Sequence, residues 1–137
     1  MAAGNRFNSF IEYVNEKAVN WQTDTFVIAL TNSAPSSSNS VLADITEISY
    51  TNLSSRTLTI AAASQTAGTY TATANQLTLT ASGNVDTFRY VVAYDDTATG
   101  DPLVGYWDYG SAVSMVNGDT FAIGDTNPWT IWTDAPA

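Results

Sequence analysis

The chain has 137 residues, 45% of them hydrophobic, which is enough for one domain with a buried core. Thirteen acidic residues face four basic ones, giving a formal charge of −9 at pH 7. This balance disfavours nucleic acid as a partner, because binding a polyanion needs a positive surface. The absence of cysteine and histidine excludes disulfides, thiolate or imidazole metal sites and histidine-dependent catalytic triads.

No stretch of the sequence approaches the ~20 consecutive apolar residues that a membrane helix requires. The residues after Met1 do not form an apolar run of the signal-peptide type. We therefore expect a protein that has no membrane partner and no visible targeting signal.

The N-terminal segment, residues 1–22, carries one helical pattern. Apolar residues recur there at helical spacings, with polar residues between them. Asn8 or Ser9 is a suitable N-cap, and Glu12 in the first turn suits the positive end of the helix dipole. The pattern predicts one short amphipathic helix whose apolar stripe contains Phe7, Phe10, Ile11, Val14, Ala18 and Trp21.

After the helix, short runs rich in threonine, valine, isoleucine and tyrosine alternate with turn residues. The polar loop 33–40 is too short to link two domains, so residues 1–137 form one domain in this interpretation. The series predicts an all-β fold, a jelly-roll-like β-sandwich. Strands are predicted at residues 25–31, 45–50, 56–63, 69–73, 76–81, 87–94, 103–108, 111–116, 120–123 and 129–133.

The runs differ in their patterning. Residues 25–30 and 88–94 are apolar on both faces, which predicts strands through the middle of the core. Threonine alternates with apolar residues in runs such as 77–80, which predicts half-buried strands. Asn117 and Gly118 lie between apolar residues and predict a hairpin with a type I′ turn.

Three carboxylates, Asp95, Asp96 and Asp101, bracket one glycine-containing turn. Hard oxygen ligands of this kind can hold calcium. The spacing matches no calcium-binding repeat, and aspartate and glycine are common in solvated turns, so we favour the turn. A glycosidase would need a pair of acids across a cleft, and nothing in the sequence selects such a pair. We therefore expect neither an enzyme nor a cofactor.

Aromatic residues cluster at 106–109, where Tyr-Trp-Asp-Tyr combines stacking rings with a carboxylate. Such a combination can bind sugar rings, which makes Trp107 and Tyr109 candidates for a glycan site. In a strand, however, Trp107 and Tyr109 share one face while Tyr106 and Asp108 share the other. Packing in a core or an interface is the interpretation that we favour.

Two features favour association with other subunits. Residues 76–82 are uncharged and β-prone, so this stretch must be paired internally or covered by another chain. The aromatic C-terminal tail, residues 125–137, contains Trp129 and Trp132, and exposed tryptophans often anchor interfaces. We therefore expect a homo-oligomer, a trimer.

Four segments in order, residues 25–35, 41–48, 88–94 and 101–110, resemble a group of small structural proteins of tailed bacteriophages and prophages. The resemblance spans roughly residues 8–124 and leaves out the tail. It implies a virion component, a capsid decoration (cement) protein with a jelly-roll-like fold. No catalytic residue carries over, since the shared segments are strand and turn signatures.

The resemblance implies a protein on the outer capsid surface, assembled in the host cytoplasm, that bridges and stabilises the major capsid protein. Burying a large apolar side chain contributes about 1.5–3 kcal/mol, whereas an exposed ion pair gives ~0–1 kcal/mol. We therefore expect apolar anchors to dominate its contacts. The candidate interface residues are Phe7, Phe10, Ile11, Val14, Trp21, Trp129 and Trp132. The alternative is a receptor- or glycan-binding module of a tail or fibre.

Overall fold

A computed structural model of the chain describes residues 4–134. Residues 1–3 of the N-terminal segment and 135–137 of the tail lie outside the described residues. Antiparallel strands dominate the described part, which confirms the all-β prediction. The elements are β1 (Gly4–Arg6), α1 (Phe10–Asn15), β2 (Phe26–Thr31), a 3-10 turn (Leu42–Asp44), β3 (Ile60–Thr66), β4 (Thr69–Ala74), β5 (Leu77–Thr80), β6 (Val85–Asp95), β7 (Leu103–Met115), β8 (Thr120–Ile123) and β9 (Trp129–Asp134).

The strands form three ladders. The first sheet has the order β1-β7-β6-β2, the second has the order β3-β4-β9, and β5 and β8 form a two-stranded ladder. Along the chain the pairings are nested: β6 pairs with β7, β5 with β8, and β4 with β9. The segment from β4 to β6 therefore runs antiparallel to the segment from β7 to β9 as one long ribbon, which closes at the turn between β6 and β7.

The first sheet is covered on both faces. On one face Ile28 and Val91 belong to the main core, which they share with residues of the other two ladders. On the other face Ala29 and Val92 belong to a smaller cluster that Phe7 helps to close. Every residue of β2 is buried, so the prediction that the doubly apolar runs pass through the core is confirmed for β2 and for the second half of β6.

The predicted Asn117–Gly118 hairpin is wrong. A tight turn does form, and the Asp119 amide donates to the Val116 carbonyl at 2.9 Å. Of the two central residues only Gly118 has a positive φ, 89°, whereas a type I′ turn needs both. The Ala81 amide instead donates to the Asp119 carbonyl at 2.9 Å. The turn is therefore a corner of the long ribbon, and β8 pairs with β5.

Four of the predicted strands need correction. Residues 45–50 form no strand, because Ile45 packs on the smaller cluster while Ile48 and Tyr50 pack on the main core. The predicted strand 56–63 divides, since Thr57 bridges to β2 and only residues 60–63 belong to β3. The predicted strands 103–108 and 111–116 are one continuous strand, β7.

Helix α1 is shorter than the apolar stripe that predicts it. It begins after Ser9, whose hydroxyl makes no capping hydrogen bond. At its end Lys17 takes a left-handed conformation with φ 64°. The Ala18 amide donates to the Tyr13 carbonyl at 2.8 Å, and the Lys17 amide donates to the Val14 carbonyl at 3.3 Å. This is the Schellman pattern that terminates helices, so residues beyond it reach the core from a loop.

A candidate interaction surface around the N-terminal helix

Helix α1 has six residues and is too short to be stable on propensity alone, so packing must hold it. Phe10 provides this packing and is fully buried. Its ring meets the Trp132 ring edge-on with 4.5 Å between centroids, and the Trp21 ring at 5.7 Å. Burial of one such ring contributes about 1.5–3 kcal/mol. The three aromatic side chains therefore fix the helix against β9.

The side of the helix next to Phe10 is only partly covered by the rest of the fold. Ile11 is 40% exposed, and Val14, three residues further along, is half-buried. Side chains three apart lie next to each other on a helix surface. Ile11 and Val14 therefore form an apolar strip at the surface of a chain whose formal charge is −9.

A cleft opens beside this strip, between α1, the following loop and the second sheet, with a volume of about 330 Å³. Its walls are mostly aliphatic or aromatic, and Asn20 and Asp134 are its polar residues. We call Ile11 together with the cleft the α1 surface. The lining residues are Val14, Val19, Asn20, Trp21, Tyr70, Trp132 and Asp134.

A cation lies at one side of the α1 surface. The Arg6 guanidinium stands over the Trp132 ring, 4.1 Å from the ring centroid, and donates a hydrogen bond to the Thr133 carbonyl. A second cleft, of about 260 Å³, lies here between β1 and β9. Cation–π contacts at exposed sites contribute about 0.5–1 kcal/mol. Arg6 therefore ties the β1 edge to β9 next to the helix.

The structure corrects most of the candidate interface residues. Trp129 and Trp132 are each only 5% exposed, because both pack inward from β9 into the main core. The three aromatic candidates of the N-terminal segment are buried as well, Phe10 and Trp21 in the main core and Phe7 in the smaller cluster. The buried residues are Phe7, Phe10, Trp21, Trp129 and Trp132, and the accessible residues are Ile11 and Val14.

The two glycan-site candidates also point inward. Trp107 is 5% exposed and packs edge-on against Trp129 with 5.4 Å between ring centroids. Tyr109 packs against Phe121 at 5.0 Å, and its hydroxyl is buried. A sugar ring needs an open aromatic face for stacking. The structure therefore contradicts a glycan site built from Trp107 and Tyr109, and the predicted alternation along this strand is confirmed.

The three carboxylates at the β6–β7 turn do not form a metal site. Among residues 4–134, no group of three acidic side chains lies close enough to hold a metal ion. Asp95 is fully buried, and its Oδ1 accepts hydrogen bonds from the Thr97 and Ala98 amides at 2.9 and 3.1 Å. This carboxyl group closes the turn, as aspartate commonly does.

Asp95 has an unusual electrostatic environment. Burial, followed by the nearby Asp24 carboxyl, raises the pKa of Asp95 to about 7. Its Oδ2 atom is buried and has no hydrogen-bond partner within the described part of the chain. Acids with raised pKa values often mark catalytic sites, but Asp24 and Asp95 line neither the α1 cleft nor the β1–β9 cleft. We interpret the pair as a determinant of stability.

The uncharged stretch 76–82 is paired internally. β5 lies against β8, and the Ser54 amide donates to the Thr80 carbonyl on the other side at 3.1 Å. The sequence interpretation missed that a different strand, β3, lies at the edge of the second sheet. A signal was present, since residues 57–85 contain no Asp, Glu, Lys or Arg. Only the sheet order shows which part of that run is an edge.

Comparisons with models of protein families, with curated proteins and with solved structures found no match to this chain. In the part of the chain that the structure describes, no helix is long and apolar enough to span a membrane.

Proposed function

We propose that the chain is a non-catalytic structural protein that binds other protein surfaces, and specifically a decoration protein on the outer capsid surface of a tailed phage. The partner in this proposal is the major capsid protein, whose subunits the chain bridges and stabilises. The observation that carries the proposal is the α1 surface, an apolar strip beside an open cleft. The family resemblance of the sequence supplies the identity of the partner.

The chemistry of the α1 surface suits a protein partner. Ile11 is one of two large hydrophobic side chains that are exposed within residues 4–134. It lies one helical turn from Val14, which lines the cleft, whereas the other, Val116, lies at the corner of the ribbon. An aliphatic or aromatic side chain from a capsid subunit can enter the cleft beside Val14 and Trp132. Binding then stabilises the assembled shell by mass action.

The nested strand pairing supports the jelly-roll-like part of the proposal. A jelly roll is a long antiparallel ribbon wound so that its strands divide between two sheets. In this chain β4–β6 and β7–β9 pair along such a ribbon, and the ribbon passes from one layer to the other at the corner near Ala81 and Gly118. We therefore propose that the sandwich has jelly-roll-like winding.

The net charge supports a position on the outside of the shell. A formal charge of −9 repels packaged DNA, and a protein on the outer surface does not need to meet it. The proposal includes attachment as a homo-oligomer, for which the sequence interpretation predicts a trimer.

Replacing Ile11 with glutamine tests the proposal. Glutamine is a good helix former and leaves the charge unchanged, so the substitution mainly removes the apolar contact. Since burial of one isoleucine contributes about 1.5–3 kcal/mol, we expect Ile11→Gln to weaken attachment to undecorated capsids by roughly 10- to 100-fold. Attachment is measured by cosedimentation of the purified chain with the capsids.

Val116→Gln is the matched control, because Val116 is also an exposed aliphatic residue, at 53%, but lies away from the α1 surface. We expect this variant to attach like the unsubstituted chain. Equal attachment of all three proteins, each checked for folding by circular dichroism, would remove the α1 surface from the proposal. Attachment only to tails would contradict the capsid location.

A further inference from the structure

β3 is the terminal strand of the second sheet, in which the order is β3-β4-β9. It spans seven residues, Ile60–Thr66, and most of them are exposed. Edge strands usually carry lysine, proline or inward-pointing charges that prevent pairing with other chains. β3 contains none of these residues. Its edge therefore lacks these protective residues, and the Gln22 side chain, which donates to the Ala63 carbonyl, is a side-chain contact at this edge.

The hairpin geometry identifies the backbone groups that face outward. Ala67 and Gly68 have φ values of 51° and 83°, as in a type I′ turn, and Thr66 pairs with Thr69. In such a hairpin the pair next to the turn is hydrogen-bonded, and the residues alternate from there. Ala63 and Gln65 therefore direct their amide and carbonyl groups away from β4. One hydrogen bond supports this orientation of the Ala63 carbonyl, since the Gln22 side-chain amide donates to it from outside the sheet.

The uncharged edge allows a second copy of this chain to be the partner, and the strand register makes the edge complementary to its own copy. Two copies that each carry a formal charge of −9 repel each other unless they meet where charges are absent. Residues 57–85 contain no charged side chain, and they include all of β3 and its neighbour β4. The first sheet offers no such edge, because β1 contains Arg6 and the backbone around Thr57 bridges to β2.

We propose that two copies pair antiparallel through β3, about a twofold axis at Ser64. Ala63 of one copy then lies opposite Gln65 of the other, and these residues exchange both backbone hydrogen bonds. Ser64 faces its own counterpart across the axis as a non-hydrogen-bonded pair. The side chain of Ser64 is exposed, so the pairing needs no rearrangement of the core. The sheets of the two copies join into one continuous sheet.

This pairing makes a dimer. The interface is isologous, so the β3 edges of both copies are fully paired once two copies have bound each other. It therefore competes with the trimer that the sequence interpretation predicts. It does not rest on capsid attachment, which involves the α1 surface. Gln22 is exposed and must release the Ala63 carbonyl, so Gln22→Ala is expected to strengthen the pairing.

Disulfide trapping tests the twofold axis directly, since the chain contains no cysteine. Residues that face each other in a non-hydrogen-bonded pair have Cβ atoms about 4.5–5.5 Å apart, which small adjustments bring within disulfide range. We expect Ser64→Cys to form a covalent dimer on mild oxidation. Thr71→Cys is the matched control, because Thr71 lies beside Ser64 on β4, one strand away from the edge. It should remain monomeric on a non-reducing gel.

Sedimentation provides the second test. Ser64→Lys places two positive charges against each other across the axis, whereas Thr71→Lys adds the same charge one strand further away. We expect Ser64→Lys to raise the dimer dissociation constant by about tenfold or more and Thr71→Lys to change it little. Monomers or trimers of the unsubstituted chain at micromolar concentration would overturn the proposal. Equal cross-linking of Ser64→Cys and Thr71→Cys would overturn it as well.

Discussion

Gly124→Ala is expected to destabilise the fold by about 3 kcal/mol or more, the sum of backbone strain and overpacking. Gly124 has a φ of 109°, a conformation that residues with a side chain rarely adopt. A methyl carbon there would also lie 2.6 Å from Cγ of Trp129. Trp129 cannot move aside freely, because its ring is buried and packs against Trp107. Thermal unfolding followed by circular dichroism measures the loss.

Gly110→Ala separates backbone strain from overpacking. Gly110 also has a positive φ, 83°, but no atom lies within 4 Å of the position that a methyl carbon would take. This variant should therefore show only the backbone cost, about 1 kcal/mol. Similar melting temperatures for Gly124→Ala and Gly110→Ala would show that the Trp129 ring does not obstruct a side chain at position 124.

Asp95→Asn is expected to stabilise the chain at pH 8 and to leave its stability nearly unchanged at pH 4. An unfolded aspartate has a pKa of about 3.9, whereas burial and the nearby Asp24 raise the pKa of folded Asp95 to about 7. Between these values the folded chain holds a proton that the unfolded chain has lost. The contribution of Asp95 is therefore complete below about pH 4 and decreases as the pH rises to about 7.

The slope of this decrease approaches about 1.4 kcal/mol per pH unit for one proton. Asparagine resembles the protonated acid and keeps the oxygen that accepts from the Thr97 and Ala98 amides. Urea unfolding from pH 4.5 to 8 should therefore show a flatter profile for Asp95→Asn. Asp108 does not interfere, because the Arg89 guanidinium lowers the pKa of Asp108 and places its effect at more acidic pH.

Asp96→Asn is the control for charge. Asp96 is the next residue and is exposed, so its substitution removes the same formal charge without removing a buried acid. Its pH profile should stay closer to that of the unsubstituted chain than the Asp95→Asn profile does. A small flattening is expected, since burial and then the Asp96 charge raise the pKa of Asp101. Equal shifts for Asp95→Asn and Asp96→Asn would indicate that general charge repulsion, and not the buried carboxyl group, sets the slope.

Local patterning predicted much of the fold. The doubly apolar runs correctly indicated that β2 and the second half of β6 lie in the core, because a strand that is covered on both faces has no polar side. The Asn117–Gly118 signal correctly predicted a turn, but its strands pair elsewhere. Turn chemistry is local, whereas the choice of partner depends on the register of the whole ribbon, in which Ala81 already faces Asp119.

The candidate site was predicted less well. A tryptophan in a strand suits an interface and a core equally, so the sequence cannot separate the two roles for Trp129 and Trp132. Both fill the main core, whereas the smaller Ile11 remains at the surface. The edge position of β3 is not a local property at all. It follows from the order of strands in the second sheet, which no pattern within Ile60–Thr66 encodes.

The location of the chain in a particle tests the central proposal most directly. The proposal assigns the chain to a tailed phage or prophage, so cryo-electron microscopy of virions assembled with the chain would show where its density lies. We expect density for the sandwich on the outer face of the capsid shell, with Ile11 and the α1 cleft against the major capsid protein. Density confined to the tail, or capsid-bound density in which the α1 surface faces solvent, would contradict the proposal.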